Sequence, residues 1–161
     1  MISIRPATPA DDAAIWSILQ PVFRAGDTYA IEADISRKAA LGYWCGGNHT
    51  AFVAEIGNMT LGSYYICANQ RGGGAHVCNC GFATAPAARG QGVAGGMLDH
   101  ALDTARTMGF LAMQFNFVLA SNEGALRLWH RAGFETVGRL PRAFLHPRAG
   151  YVDALVLYKT L

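Results

Sequence analysis

The sequence predicts an α/β fold built on one mixed sheet, and three features carry that expectation. The chain has 161 residues, 52% of them hydrophobic and 15% charged, enough to bury one core. Segments rich in Val, Ile, Tyr and Phe alternate with segments whose apolar residues recur at helical spacing. Nothing repeats and no linker divides the chain, so residues 1–161 are expected to form a single domain.

Residues 2–6 alternate as a short strand. Pro9-Ala10-Asp11-Asp12 then opens a helix carrying Ala14, Ile15, Ile18, Leu19 and Val22. A loop at 24–33 leads to a second helix over 35–44, with Asp34 or Ser36 as its N-cap and Gly46-Gly47-Asn48 as its stop. Segments 51–56 and 59–68 flank the turn signal Gly57-Asn58 and read as an antiparallel hairpin. A further strand at 76–84 precedes a long helix over 91–108, in which Val93, Met97, Leu98, Ala101, Leu102 and Ala105 fall on one face. Residues 111–119 form an apolar strand. Asn122 opens a helix through Arg131, and Gly133 ends it. Strands at 134–140 and 151–159 finish the chain, and Leu140 to Gly150 reads as a long irregular connection, either a binding element that closes over a substrate or supports a homodimer, or a solvated surface excursion.

The 13 Lys and Arg nearly balance the 11 Asp and Glu, leaving a net charge of +2. No global field therefore draws the protein to nucleic acid or an anionic membrane, and neither is expected as a partner. The N-terminus shows no basic segment followed by an apolar one, and no run approaches the ~20 apolar residues of a membrane-spanning helix. The four cysteines lie in or beside apolar segments, so reduced thiols and a cytoplasmic location are expected.

An anion site must then be local, and Arg89-Gly90-Gln91-Gly92-Val93-Ala94 is the candidate. It lies between a strand and a helix, where unpaired N–H groups and the positive end of the helix dipole face outward and small residues let a phosphate approach. The loop lacks the Gly-Lys-Ser/Thr of a nucleotide-triphosphate loop. Gly90-x-Gly92-x-x-Gly95 matches a dinucleotide string, but it follows a late strand and lacks the acidic residue that holds a ribose. A tight turn with glycines serving only packing is the alternative.

These residues resemble the Arg/Gln-x-x-Gly-x-Gly/Ala loop of the GCN5-related N-acetyltransferases. Asn122-Glu123-Gly124-Ala125-Leu126-Arg127-Leu128-Trp129-His130-Arg131-Ala132-Gly133-Phe134 is similar to that family's Asn-x-x-Ala-x-x-Leu-Tyr-x-x-x-Gly-Phe helix. The resemblance implies a mostly antiparallel sheet with a central splayed parallel strand pair, here 76–84 and 111–119, flanked by helices. It implies acetyl-CoA as cosubstrate, with the pyrophosphate on N–H groups of residues 90–94 beside Arg89. The pantetheine arm would lie along Phe82 and Thr84, and Asn122 beside it; a backbone N–H near Phe82 would polarise the thioester carbonyl. Asn122 also reads as an N-cap, and the two roles are compatible. Where the family often has a Tyr that protonates the departing thiolate, this chain has Trp129, whose indole N–H is no acid at that pKa. Direct attack by a free amine, without an acyl-enzyme, is the expected course.

Asn79 and Asn116 sit in the middle of the two splayed strands among apolar neighbours, where asparagine is disfavoured and needs a partner. They either hold a small amine or amino-acid substrate or satisfy bulged backbone. With Asn122 and Trp129 they also resemble a narrower group, yeast acetyltransferases of proline analogues such as azetidine-2-carboxylate, in which two strand asparagines are implicated in binding the substrate. A non-catalytic acyl-CoA sensor and a peptide N-acetyltransferase are the competing functions. Tyr29, Glu32, Tyr64 and Tyr65 are candidates to line the acceptor pocket, with at most one of the adjacent tyrosines doing so. His76 reads as a structural residue or a base. His76, Cys78 and Cys80 share a strand face, but no fourth ligand accompanies them and no metal is expected.

Overall fold

The computed structural model describes residues 1–161. Strand β1 (Ile2–Pro6) is followed by helices α1 (Asp12–Ala25) and α2 (Arg37–Cys45), then by strands β2 (Thr50–Ile56), β3 (Met59–Ala68) and β4 (Val77–Thr84). Helix α3 (Val93–Thr107), strand β5 (Ala112–Leu119), helix α4 (Glu123–Arg131) and strands β6 (Glu135–His146) and β7 (Gly150–Thr160) complete the chain. The seven strands form one sheet in the order β1-β2-β3-β4-β5-β7-β6, with β4 and β5 the parallel pair. This is the mixed sheet expected from the sequence.

Each face of the sheet buries its own core. On one face α3 and α4 pack through Met97, Leu98, Ala101 and Trp129 against Tyr64, Ile66, Cys78 and Phe115. On the other, α1 and α2 pack through Ile15, Ile18, Phe23 and Trp44 against Val53, Tyr65 and Ala83. The apolar spacing read in α1 and α3 is therefore a core pattern. The caps follow their chemistry: Ser36 Oγ accepts the Ala39 N–H at 3.1 Å, and Gly133 leaves α4 at φ +92°.

The segment 140–150 is not the irregular loop expected. It is strand almost throughout, in a long β6–β7 hairpin whose turn occupies only residues 147–149. Pro141, which suggested a break, lies on the sheet's outer edge, where a missing N–H costs no ladder bond. A register shift between Leu140 and Phe144 absorbs the extra residues. Asp153 on β7 secures it, accepting from the Arg142 N–H at 2.8 Å and from the Arg139 guanidinium at 2.6 Å. His146 Nδ1 closes the turn by accepting the N–H groups of Arg148 and Ala149 at 3.2 and 3.1 Å.

The entry to α1 is fixed by a carboxylate. Asp11 accepts both guanidinium arms of Arg5 at 2.9 and 2.8 Å and the Thr8 N–H at 2.7 Å, while Arg5 also bonds Glu55 on β2 at 2.7 Å. The Arg5 bonds hold the Asp11 carboxyl well below the usual carboxylate range. Because the folded value lies below the unfolded one, this stability is present above about pH 4 and is lost as pH falls toward the lowered folded value. Asp11→Asn should accordingly lower the urea midpoint at pH 7 and converge with wild type in acid. A gap that persists unchanged at pH 2 would refute the assignment.

Candidate active site

Strands β4 and β5 pair only through Val77 with Ala112 and Cys78 with Met113, then diverge. Which backbone groups this exposes follows from alternation. The Ala85 N–H donates to Leu61 of β3, and the Val77 C=O accepts from Asn69, each at 2.8 Å. Odd-numbered residues of β4 thus address β3, and Cys80, Phe82 and Thr84 direct their N–H and C=O groups toward the gap. The Phe82 C=O accepts the Tyr29 hydroxyl at 2.6 Å. Its N–H, with that of Thr84, is left facing the gap.

At the C-terminal end of β4 a short 3-10 turn, Pro86–Ala88, leads into the glycine loop. Gly90 and Gly92 both adopt φ +74°, and a side-chain carbon at either would meet nothing within 4 Å. The constraint on them is backbone conformation, and the space above is open. The two left-handed residues delay α3 to Val93, two residues later than the spacing suggested. The first intrahelical bond, Gly96 N–H to Gly92 C=O at 2.9 Å, leaves the N–H groups of Val93, Ala94 and Gly95 free at the positive end of the helix. Gln91 differs from its neighbours, because its N–H bonds Ala88 and its side-chain amide bonds the Ala87 C=O. It shapes the loop from within. A cavity of about 780 Å³ opens over this turn, with Arg89 and Arg131 as its two cations. From the sequence, Arg131, in the last turn of α4, is only the end of that helix, with no part in a site.

This cavity shares Thr84, Ala94, Gly124 and Leu128 with a second one of about 520 Å³ between the diverging strands. The two form a continuous slot. The second cavity contains Asn79, Phe82, Asn116, Asn122 and Trp129, together with Tyr29, Tyr43 and Tyr65, and no Asp, Glu, His, Lys or Arg among its 24 lining residues. Thus the residues singled out on β4, β5, the glycine loop and α4 are brought together along one slot, while Glu32 and His76 are not part of it. Tyr65 lines it and Tyr64 does not: Tyr64 lies in the opposite core, its hydroxyl 2.7 Å from His100 Nδ1. Cys78 and Cys80 are buried in that same core, Cys80 also lining the slot, and His76 is exposed at the strand's start.

Asn116 and Asn79 line the cavity from opposite strands. Asn116 donates to Asn69 Oδ1 at 2.6 Å and accepts from Gln114 Nε2 at 2.9 Å, which fixes its amide while leaving one N–H and one lone pair for a ligand. Asn69 was missed because it follows β3 at a loop and only tertiary structure carries it to β5. Asn122 caps α4, accepting the Ala125 N–H at 3.3 Å through Oδ1. Trp129 is 8% exposed, its ring 5.2 Å from Phe82 and 4.8 Å from Phe115. It acts as an apolar wall at the strand divergence.

Residues 13–134 match the model of the acetyltransferase (GNAT) family, and the chain belongs to that family, whose members take an acetyl group from acetyl-CoA. It is 36% identical to a GCN5-related N-acetyltransferase from Kribbella flavida, covering 99% of this chain and 98% of that one with a TM-score of 0.94. N-acetyltransferase aca1 of Schizosaccharomyces pombe is 37% identical over 97 residues, which are 60% of this chain. The match spans 46% of that protein, about half its length. The Salmonella typhimurium protein yncA, solved with its cofactor acetyl-CoA, shares the fold at 22% identity, with a TM-score of 0.84 over 99% of this chain and 94% of that one. No helix is long and apolar enough to cross a membrane.

One glycine shapes the wall of the second cavity directly. A side-chain carbon on Gly81 of β4 would lie 2.4 to 2.9 Å from the Tyr65 ring and hydroxyl, so the phenol rests on the bare strand. Gly81→Ala is expected to cost about 1–3 kcal/mol through overpacking, read as a lower denaturation midpoint. An unchanged midpoint would show that the Tyr65 ring can yield freely.

Proposed function

We propose that the chain transfers acetyl from acetyl-CoA to the amine of a small molecule, an amino acid or proline-like analogue, by direct attack in a ternary complex. The observation that carries this reading is the second cavity: it is of small-molecule size and its polar lining is entirely amide, hydroxyl and thiol. A peptide substrate recognised by its charges would find nothing complementary there. A compact zwitterion can be held by Asn79 and Asn116, which together supply donors and acceptors. The resemblance to the yeast proline-analogue enzymes supports the same class of acceptor.

The donor supplies an activated acetyl thioester. Around it the chain's own groups divide the work. Gly90, Gly92, Val93 and Ala94 present backbone N–H groups to phosphate oxygens, with Arg89 adding charge. Gln91 holds the loop's shape. The N–H groups of Phe82 and Thr84 serve the arm and the carbonyl, Asn122 borders it, and Trp129 excludes water from the strand divergence. Trp129 offers no acid, so the leaving thiolate takes its proton from solvent. The missing Tyr also favours a second reading, an acyl-CoA sensor without turnover.

The deciding experiment is thiol release from acetyl-CoA across azetidine-2-carboxylate, hydroxyprolines, primary amino acids and short peptides. Turnover on the small acceptors supports the proposal. Tight CoA binding with no turnover on any of them favours the sensor, and preference for peptides refutes the small-acceptor assignment. Arg89→Glu and Gly92→Asp place negative charge against phosphate and should weaken CoA binding about tenfold or more by calorimetry; unaltered affinity would move the donor site elsewhere. Asn116→Ala should reduce acceptor kcat/KM roughly ten- to hundredfold, the equivalent of one or two lost hydrogen bonds, with CoA affinity retained. Equal losses in both would assign Asn116 to folding.

A further inference from the structure

An ammonium acceptor must lose a proton before it attacks and its nitrogen another as the amide forms. The acceptor cavity holds no carboxylate and no imidazole to take either. Its other polar groups are poorly suited. The Tyr29 hydroxyl proton is committed to the Phe82 C=O at 2.6 Å, the Cys80 thiol lines the cavity but is buried, which pushes its pKa up, and the asparagine amides neither gain nor lose protons at working pH.

The Thr28 hydroxyl donates to the Asp27 carboxylate at 3.2 Å, and of the tyrosine hydroxyls one is linked through a second to solvent. Tyr65 is 4% exposed, and its hydroxyl rests against Gly81, the residue before Phe82, whose N–H faces the gap. Across 3.0 Å lies the Tyr43 hydroxyl, in a contact where either oxygen can donate. Tyr43 also lines the cavity and is 40% exposed, so the pair runs from the acceptor side of β4 to solvent. The rings are locked: Tyr65 stacks on His49 at 3.9 Å and meets Trp44 edge-on at 4.9 Å, and Tyr43 meets His49 edge-on at 5.5 Å. Two ordered hydroxyls in series, one buried at the reacting strand and one wet, are the elements of a proton relay.

We infer that Tyr65 and Tyr43 form the route by which the acceptor's proton leaves the cavity. The amine enters as the free base, its ammonium proton left in bulk water; as its nitrogen bonds the acetyl carbon and the C–S bond breaks, the nitrogen's remaining proton passes to the Tyr65 oxygen, the Tyr65 proton to Tyr43, and the Tyr43 proton to water. The thiolate recovers one from solvent, and both tyrosines end neutral with their hydrogen bond reversed. Burial pushes the Tyr65 hydroxyl well above the ordinary phenol range, so a standing tyrosinate is not the base and the hops occur in concert. Tyr65 is in this account a catalytic residue, and Tyr43, acting through it, a positioning and relay residue.

The inference rests on the amine acetylation proposed above, and the test separates the two. The full chain is saturated with acetyl-CoA, and single-turnover rates on azetidine-2-carboxylate, or on the fastest amine of the panel, are measured in H2O–D2O mixtures for wild type, Tyr43→Phe and Tyr65→Phe. CoA affinity is read by calorimetry on the same proteins. The expected result is a curved proton inventory for wild type. Tyr43→Phe should show a linear one, a rate lower by about tenfold or more, and unaltered amine KM and CoA affinity; Tyr65→Phe should lose at least as much. A wild-type rate and inventory in Tyr43→Phe would overturn the relay while leaving acetylation intact. A raised KM with the curved inventory retained would overturn it as well, assigning the pair to pocket shape. Intact CoA binding with no turnover on any amine in wild type would overturn the function and the relay together.

Discussion

The site exists because β4 and β5 stop pairing after two residue pairs. Buried backbone N–H and C=O groups must find partners, and a parallel pair that separates leaves a row of them unpaired in the middle of a sheet. That deficit is normally a fault, and here every neighbouring element serves to keep it open and usable. Trp129 and Phe115 wedge one face of the divergence, and Tyr29 caps the Phe82 carbonyl on the other. β5 is held throughout on its other edge by β7, with a register shift between Phe115 and Val118 beyond the point where it leaves β4. The unused hydrogen-bonding capacity of one strand edge is thus the binding resource of the fold, and an extended ligand can complete the sheet.

The chain divides its recognition between two kinds of physics. At the glycine loop, backbone dipoles and the guanidinium groups of Arg89 and Arg131 provide positive potential in a chain whose net charge is only +2. A few ångströms along the slot the walls become neutral, with amides and phenols in place of ions. Formal charge, which a composition count measures, is silent about both halves.

The geometry of the glycine loop and of the α4 start was largely legible in the sequence, for a physical reason. Each is local: two glycines at φ +74° before a helix start, and an asparagine that caps the next helix, are each set by residues close in sequence, so their spacing survives in the linear order. The cavity between the strands was legible only in part. Asn79 and Asn116 stood out as misplaced strand residues, yet Asn69 and Tyr43, and Arg131 over the glycine loop, gave no signal, because their places come from contacts with residues far off in sequence. Pro141 misled in the opposite direction. Its meaning depends on β6 being an edge strand, and edge position is a property of the assembled sheet.

The tip of the β6–β7 hairpin reaches back to the segment between α1 and α2, where the Arg148 guanidinium meets Asp27 at 3.2 Å across 121 positions of sequence. The segment it touches begins the run Thr28, Tyr29, Ala30, Ile31 that walls the acceptor cavity. Residues 77–133, by contrast, contain the diverging strands, the glycine loop and α4 in one contiguous stretch. Such short-range structure closes early, while contacts between distant parts of a chain wait on loop-closure entropy. On a ribosome, then, the diverging strands and the glycine loop emerge before the wall at residues 28–31 gains its contact from the hairpin tip, so the order of synthesis separates the two halves of one slot.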